Sequence, residues 1–458
     1  MRLLRMEEET AYIGRSLFLP KSHIQGKVLR GTLRFGEDGN GDPRVLVKEH
    51  PHHYEVPRAA LKPSQVQALG CPVVDARPSS FSSISLQPKP SFLLRENQKE
   101  AWEALKKSDG GILNLACGKG KTILGWLKAS HEKVPTLIVS PQKAHLENWL
   151  NELNQFFDHS GSIGWIQGKK FEWEADICLS TVQTLAKRVK DGRTTPGFLN
   201  RFGLVIYDEC HCMAADFFSN AADIGIGKRI GLSATPNRTD RCEGIFFSHL
   251  GNVFFSDTTQ DLTPTIYLID TGVMYTDKEH KKMFDRAGQI NVGLMRGVLA
   301  KNASRNSLID LVLRDCKDQG RTTYVLSHGV DHVKELHAKY PRSTLIHGGT
   351  KSSDRLDQLN GSDLVFATIG VGKEAYNRKD LDTLLLVTPF AARAHSAITF
   401  QQSVGRILRE HPNKKPPAVF LFLDSNVDLC RGMIYSLVNE AKRNGYQVKR
   451  NWRPKQLI

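Results

Sequence analysis

The chain has 458 residues, enough for about three domains of ordinary size, each with its own core. Hydrophobic residues make up 40% and charged residues 24%, and no apolar run approaches the roughly 20 residues that span a bilayer, which excludes a membrane-spanning helix and leaves a globular, soluble protein. Lys and Arg exceed Asp and Glu by 63 − 48 = 15, a balance that favours a polyanionic partner, nucleic acid, over an acidic small substrate.

In chain order, Met1-Arg2-Leu3-Leu4-Arg5 followed by Glu7-Glu8-Glu9 is too acidic and too poor in apolar residues for a signal peptide, so a cytoplasmic protein with reduced thiols is expected. Residues 1–75 show short alternating runs, Gly26 to Phe35 and Arg44 to Lys48, separated by the turn-rich Gly36 to Asp42. They read as a small β-rich accessory module with a hairpin. Residues 76–91 are punctuated by proline and serine and read as a linker.

From residue 92 apolar strands at 112–115, 136–140, 176–180, 204–207 and 230–232 alternate with helical patterns, the rhythm of a parallel α/β sheet. A first α/β domain over 92–260 is followed by a second over 261–458, with strands at 323–327, 344–346, 364–366, 384–387 and 419–423. Between them, residues 272–320 are charged and helical in pattern, either a connector or an insertion lying on nucleic acid. The tail from 441 carries Lys442, Arg443, Lys449, Arg450, Arg453 and Lys455 with Tyr446 and Trp452 interleaved. That mixture suits phosphate contacts with a stacking ring, and equally a frayed basic end. The eight cysteines form no paired C-x-x-C modules, and Cys210, His211 and Cys212 lie too close along the chain for joint tetrahedral ligation, so structural zinc is not expected.

Two segments carry the chemistry. Ala116-Cys117-Gly118-Lys119-Gly120-Lys121-Thr122 falls between the strand at 111–115 and an apolar helical pattern from Lys121 to Lys128, where a phosphate loop must sit. Gly118 and Gly120 let backbone N–H groups converge on a β-phosphate, the helix N-terminus adds its positive end, Lys121 reaches the β- and γ-phosphates, and Thr122 can ligate magnesium. Leu115 stands where the general G-x-x-x-x-G-K-[ST] pattern has its first glycine. The second segment is Asp208-Glu209-Cys210-His211, opening at the end of the apolar run Leu204–Tyr207. Asp208 would hold magnesium through water while Glu209 orients and polarises the attacking water. Hydrolysis of a nucleoside triphosphate follows. Further on, Arg406 and Arg409 in Gln402-Ser403-Val404-Gly405-Arg406-Ile407-Leu408-Arg409 are three apart, on what should be one helical face, and can neutralise γ-phosphate charge.

These segments, in this order over residues 92–425, resemble the superfamily 2 helicases. Leu94-Arg95-Glu96-Asn97-Gln98 is similar to the adenine-reading glutamine motif, Val139 to Gln142 to motif Ia, Ser180 to Leu185 to the segment gripping the tracking strand, and Ser233-Ala234-Thr235-Pro236 to motif III. Ile346 to Gly349 and Ala367 to Gly370 occupy the expected strand ends, and Gln402 to Arg409 is motif VI. The resemblance implies two RecA-like domains with ATP and Mg2+ between them and DNA across their tops. Arg95, Gln98, Cys117, Gly118, Lys119, Gly120, Lys121 and Thr122 would hold the nucleotide, Thr122 and Asp208 the magnesium, and Lys121, Asp208, Glu209, Gln402, Arg406 and Arg409 would carry catalysis. Pro141, Gln142, Lys143, Thr181, Gln183, Thr184, His328, His347, Gly348 and Thr368 would contact the nucleic acid, mainly its phosphates and sugars. The chain departs from the motif V pattern: Glu374 to Lys379 includes Asn377 where an acidic residue is usual, which touches the coupling of ATP to strand movement and not the hydrolytic groups.

Within the superfamily, the compact second domain and small N-terminal module look like phage-type branch-migration helicases, which remodel forks and four-way junctions, with branch recognition in residues 1–74. A monomer is expected, and the resemblance leans toward 3′ to 5′ movement. The alternatives are a double-stranded DNA translocase that does not separate strands, an RNA helicase, and an ATP-gated binding module with vestigial hydrolysis.

Overall fold

The structure, a computed structural model, describes residues 6–37, 42–116, 118–211, 221–234, 242–260, 262–350, 362–372, 378–391, 395–412 and 414–450. The chain divides into two compact units, Met1–Thr258 and Thr259–Ile458.

In the first unit, strands of buried residues assemble into an eight-stranded sheet. Its order is Lys170–Phe171, Ile163–Gln167, Ile177–Thr181, Thr136–Ser140, Leu204–Asp208, Lys228–Ser233, Gly110–Leu115 and Val253–Asp257. Every pairing is parallel except that between Lys170–Phe171 and its neighbour. Side chains alternate between the two faces, so both must be apolar where both are covered. On one face Leu113, Ile138, Leu204 and Ile206 pack against Leu124, Trp126, Leu146, Trp149 and Leu153 of the helices Lys121–Glu132 and Lys143–Phe156. On the other, Ile112, Leu137, Val139 and Val205 meet Leu185, Phe198, Ile245 and Phe246.

The second unit repeats the plan. Its seven strands, Thr344–Ile346, Leu364–Thr368, Thr323–Ser327, Thr383–Leu386, Ala418–Leu423, Thr265–Asp270 and Gln447–Arg450, are paired in parallel throughout. Tyr324, Leu326, Leu384, Val419 and Leu421 line one face, and Val325, Leu385, Phe420 and Phe422 the other. The α/β class with two parallel sheets therefore stands as the sequence predicts, with a β-rich N-terminal region before them. The charged stretch at 272–320 is part of the second core, since Met295 and Leu299 of Val292–Lys301 and Ile309, Val312 and Leu313 of Ala303–Asp318 are buried. Of the basic tail, Lys442 and Arg443 close the helix Asp428–Arg443, Gln447–Arg450 adds an edge strand to the second sheet, and Tyr446, expected as a stacking ring, is buried with its hydroxyl donating to Gln260 Oε1 at 3.0 Å. Trp452, Arg453 and Lys455 lie outside the described residues.

The N-terminal module differs from its expectation in two ways. Gly26–Thr32, read as a strand, is a helix that buries Leu29, one turn before buried Leu33, and leaves Val28 57% exposed; the hairpin is confined to Arg34–Glu37 and Pro43–Val45. An i, i+4 pair of leucines outweighs a short alternating pattern. The module is also fastened to the first sheet domain. Arg58 Nη1 donates to Ile226 O at 2.8 Å, fully buried Arg229 donates through Nη2 to Arg15 O at 2.8 Å, and Ala59 N donates to Ser248 O at 2.8 Å. Phe35 and Leu46 belong to both cores. Beside this seam burial alone would raise the Asp223 carboxyl, but His249 and Arg229 hold it well below the usual range.

The stretch read as a linker is held along its second half. Ile84 and Leu86 are 5% and 2% exposed, and Leu86–Pro88 pairs antiparallel with Phe157–His159. Two apolar anchors among the serines and prolines supply about 1.5–3 kcal/mol each on burial, enough to hold a short segment down.

Gly244 marks the seam most sharply, because a Cβ there would lie 2.1 Å from the Phe35 ring. Gly244→Ala is expected to lower stability by about 1–3 kcal/mol through overpacking, read as an earlier denaturant midpoint. An unmoved midpoint would mean that Phe35 does not seat there.

Candidate nucleotide and nucleic-acid site

The strands bearing the two chemical segments, Gly110–Leu115 and Leu204–Asp208, flank Lys228–Ser233 and end at the same edge of the sheet. Parallel pairing makes this so, because all carboxyl ends then face one way.

The loop after Leu115 turns on Gly118 and Gly120, with φ of 87° and 78°, a left-handed conformation that side chains resist. Gly120 caps the helix Lys121–Glu132, whose first turn no side chain caps, leaving its N–H groups to an anion. Lys121 Nζ donates to Leu115 O at 3.1 Å, folding the ammonium across the loop's entrance; Lys121 and Thr122 are half-buried. Cys117 lies outside the described residues. The Lys119 ammonium, 4% exposed, pairs with Asp257 Oδ2 at 2.5 Å, which leaves its backbone as the part of the residue that faces a phosphate in the expected contact. Gln98, buried in the helix Glu96–Lys107, accepts from Arg95 N at 3.1 Å through Oε1 and donates from Nε2 to Lys119 O at 3.1 Å. Its amide thus ties the start of its own helix to the phosphate loop, while Arg95, its N-cap, is exposed.

Asp208 closes its strand with Oδ2 turned toward the adjoining strand and helix. Trp149 Nε1 donates to it at 3.1 Å, Ser140 Oγ at 3.4 Å, and His145 Nδ1 lies 3.9 Å away. Glu209 sits at φ 48°, an unusual angle for a residue with a side chain and one that stores strain of order 1 kcal/mol. Its Oε2 is buried without a hydrogen bond, with His211 Nδ1 3.4 Å away. Burial raises the Glu209 carboxyl, the Lys121 charge opposes that rise and Asp208 adds to it. His211 also meets Ser233 Oγ at 3.1 Å, linking the acid segment to the next strand end, while Thr235 and Pro236 lie outside the described residues. A carboxylate, a hydroxyl and a buried acid oxygen without a hydrogen bond are the hard oxygen donors that magnesium takes, so Thr122, Asp208 and the neighbouring Glu209 fit that ion.

The residues expected to contact nucleic acid lie at strand ends, some on the first sheet and some on the second. Gln142 caps the helix Lys143–Phe156 with its Oε1 buried and without a hydrogen bond, Lys143 pairs with Glu147 at 3.1 Å, and Pro141 O accepts from Gln183 Nε2 at 2.9 Å. Thr181 caps Val182–Lys190, its Oγ1 2.9 Å from that of Thr184. In the second unit, His328 follows one strand with Nδ1 2.8 Å from Thr388 Oγ1, Thr368 ends its neighbour buried, and His347 Nδ1 accepts from Gly349 N at 3.1 Å across Gly348. His328 and Thr388 line a cleft of about 370 Å³.

Arg406 and Arg409 do not share a helical face. The helix His395–Arg406 ends at Arg406, where Ile407 N bonds back to Val404 O at 2.9 Å, and Arg409 lies in the bend beyond, its carbonyl accepting from Lys414 Nζ at 2.7 Å. The tightened last turn buries Ile407 and Leu408, which a continued helix would split between faces. Gln402 is half-buried on the helix and Arg406 is 7% exposed. Asn377 lies outside the described residues; next to it Arg378 forks onto Asp380 with two bonds of 2.8 Å. The sequence reading missed Trp149 and Asp257. Trp149 looks like an ordinary core residue of an amphipathic helix, and no spacing ties Asp257 to the loop.

Residues 91–238 match the family described as type III restriction enzyme, res subunit. The chain is 27% identical over 327 residues to the DNA 3'-5' helicase XPB of Mycobacterium tuberculosis, covering 69% of this chain and 58% of that one. It is 24% identical over 361 residues to the putative ATP-dependent RNA helicase L396 of Acanthamoeba polyphaga mimivirus, covering 76% and 66%. The chain thus spans less than two thirds of either relative's length. Among solved structures it is similar in fold to S. cerevisiae Dbp5 bound to RNA and ADP BeF3, at a TM-score of 0.55 and 12% identity over 78% of this chain and 89% of that one.

Replacing Trp149 by Phe keeps the ring and removes the N–H that holds Asp208. Hydrogen bonds to charged groups are worth about 1.5–3 kcal/mol, so phosphate release should fall roughly tenfold or more with the fold intact. Unchanged turnover would show that the indole does not orient the acid.

Proposed function

Taking a chain that carries a superfamily 2 helicase domain as the premise, we propose that it is an ATP-driven DNA motor that translocates on DNA and unwinds or branch-migrates forks and four-way junctions. The observation that carries the reading is the pairing, at one sheet edge, of an open helix N-terminus behind left-handed Gly118 and Gly120 with the acid pair Asp208-Glu209, close enough for the Lys121 charge to act on Glu209.

In this reading the loop's N–H groups and Lys121 hold the β- and γ-phosphates, and Thr122 and Asp208 hold magnesium, which when bound spreads phosphate charge. Trp149 and Ser140 hold Asp208 Oδ2 against rotation. Glu209, held by its strained backbone, orients a water and takes its proton; a carboxyl raised by burial is the stronger base for that task. Arg406 and Arg409, with Gln402, meet the γ-phosphate from the second unit and neutralise its charge as the bond breaks. Gripping groups at the strand ends of both units, among them Thr181, Thr184, His347 and Thr368, contact phosphates and sugars, so movement depends little on sequence. The N-terminal module, being fastened to the first sheet domain, would present a branch point to it as one body.

A second reading, an RNA helicase, is favoured by the viral relative's name. The experiment is ATP turnover and strand displacement across single strand, duplex, fork, four-way junction and the RNA equivalents. Fork and junction should stimulate most. Stimulation by linear duplex without strand release would favour a translocase, and preference for RNA would transfer the chain to the second reading. Lys121→Ala and Glu209→Gln are each expected to lower turnover by about a hundredfold or more. Full turnover in the Glu209 variant would contradict its role.

A further inference from the structure

The edge strand Val253–Asp257 ends beside the phosphate loop, and its last residue holds that loop at two points. Asp257 pairs with Leu115 in the parallel register, where the ladder would ordinarily stop. Its carbonyl goes on to accept from Ala116 N at 3.0 Å, at the loop's entry, and its carboxylate accepts from Lys119 Nζ at 2.5 Å, at the loop's apex. Lys119 is held from a second side by Gln98, which donates to its carbonyl at 3.1 Å. The entry and the apex of the loop are therefore both tied to one residue, and the apex also to the helix Glu96–Lys107.

The setting makes the carboxylate's hold matter. Lys119 is 4% exposed and Asp257 21%, so the pair is shielded from the solvent that weakens surface ion pairs. Removing the carboxylate takes a charged acceptor away from a buried ammonium and weakens the hold on the loop apex. Asp257 also stands at a boundary, for the first compact unit ends at the next residue, Thr258. Asp257 is thus joined to the loop apex by its side chain and to the segment entering the second unit by the chain itself.

We propose that Asp257 is a positioning residue for nucleotide binding: it sets the shape of the phosphate loop through Lys119 and passes that shape to the segment that leads into the second unit. The proposal rests on reading the chain as an ATP-driven motor. Asp257 itself touches no nucleotide. It acts through the loop.

The test uses the full chain with Asp257→Asn, which keeps the carbonyl bond and removes the charge, and Asp257→Glu, which keeps the charge. Two quantities are read well below each variant's unfolding midpoint, so a general loss of stability moves neither. One is the Kd of a fluorescent, non-hydrolysable ATP analogue without nucleic acid; the other is the ratio of DNA-stimulated to basal ATP turnover. The Asn variant should bind the analogue roughly three- to tenfold more weakly and lose more than half of the ratio, and the Glu variant should recover part of both. A native Kd in the Asn variant overturns the proposal, and so does a native ratio. A parent chain that no nucleic acid stimulates would sink the motor reading instead, and the Kd comparison would still decide whether Asp257 shapes the loop.

Discussion

Gly120 sits where a side chain would be strained, and the rest of the site is built around that turn. The Gln98 amide nitrogen lies 2.1 Å from where a Cβ would stand and would have to leave Lys119 O to make room, and the backbone there is left-handed, so any side chain at this position is strained. The helix Lys121–Glu132 starts at the residue after this turn with no side chain capping its N–H groups. Gln98 fills the space beside the turn and ties Lys119 O to its own helix.

The acid pair is built on a complementary constraint. Asp208 is the last strand residue and takes its orientation from groups on the neighbouring strand and helix, while Glu209 must leave the strand through positive φ with a buried carboxyl. Strain and desolvation both oppose folding, and the surrounding core of Trp126, Trp149, Leu204 and Ile206 must outweigh them. A purely structural turn would be expected to shed such a residue, which is why backbone strain coinciding with an acid next to a phosphate loop points to chemistry.

Much of this could be read from the residues alone, for physical reasons that also explain the failures. Central parallel strands are buried on both faces, so Thr136–Ser140 and Leu204–Asp208 each carry an unbroken apolar run, Leu137–Val139 and Leu204–Tyr207, and the loop glycines declare themselves between another such strand and a helix. The N-terminal module misled because its helix Gly26–Thr32 is short and half-exposed, so only one leucine pair marks its period. Ile84 and Leu86 disappear among serines and prolines because two buried side chains suffice to anchor a segment. Arg406 and Arg409 are three apart, yet where a helix stops depends on its last hydrogen bonds and not on spacing. Lys119, Asp257 and Trp149 act through contacts between residues remote in sequence, which no local pattern records.

In the proposed motor two separately folded sheets serve one triphosphate, the first supplying the loop and acids and the second the arginines. The most direct measurement is a structure of the full chain with DNA, magnesium and a non-hydrolysable ATP analogue. It should show the analogue's phosphates on Gly118 to Thr122, the metal beside Thr122 and Asp208, and the guanidinium groups of Arg406 and Arg409 within hydrogen-bond reach of the γ-phosphate. An analogue seated on the loop while both arginines face solvent or the DNA would contradict it.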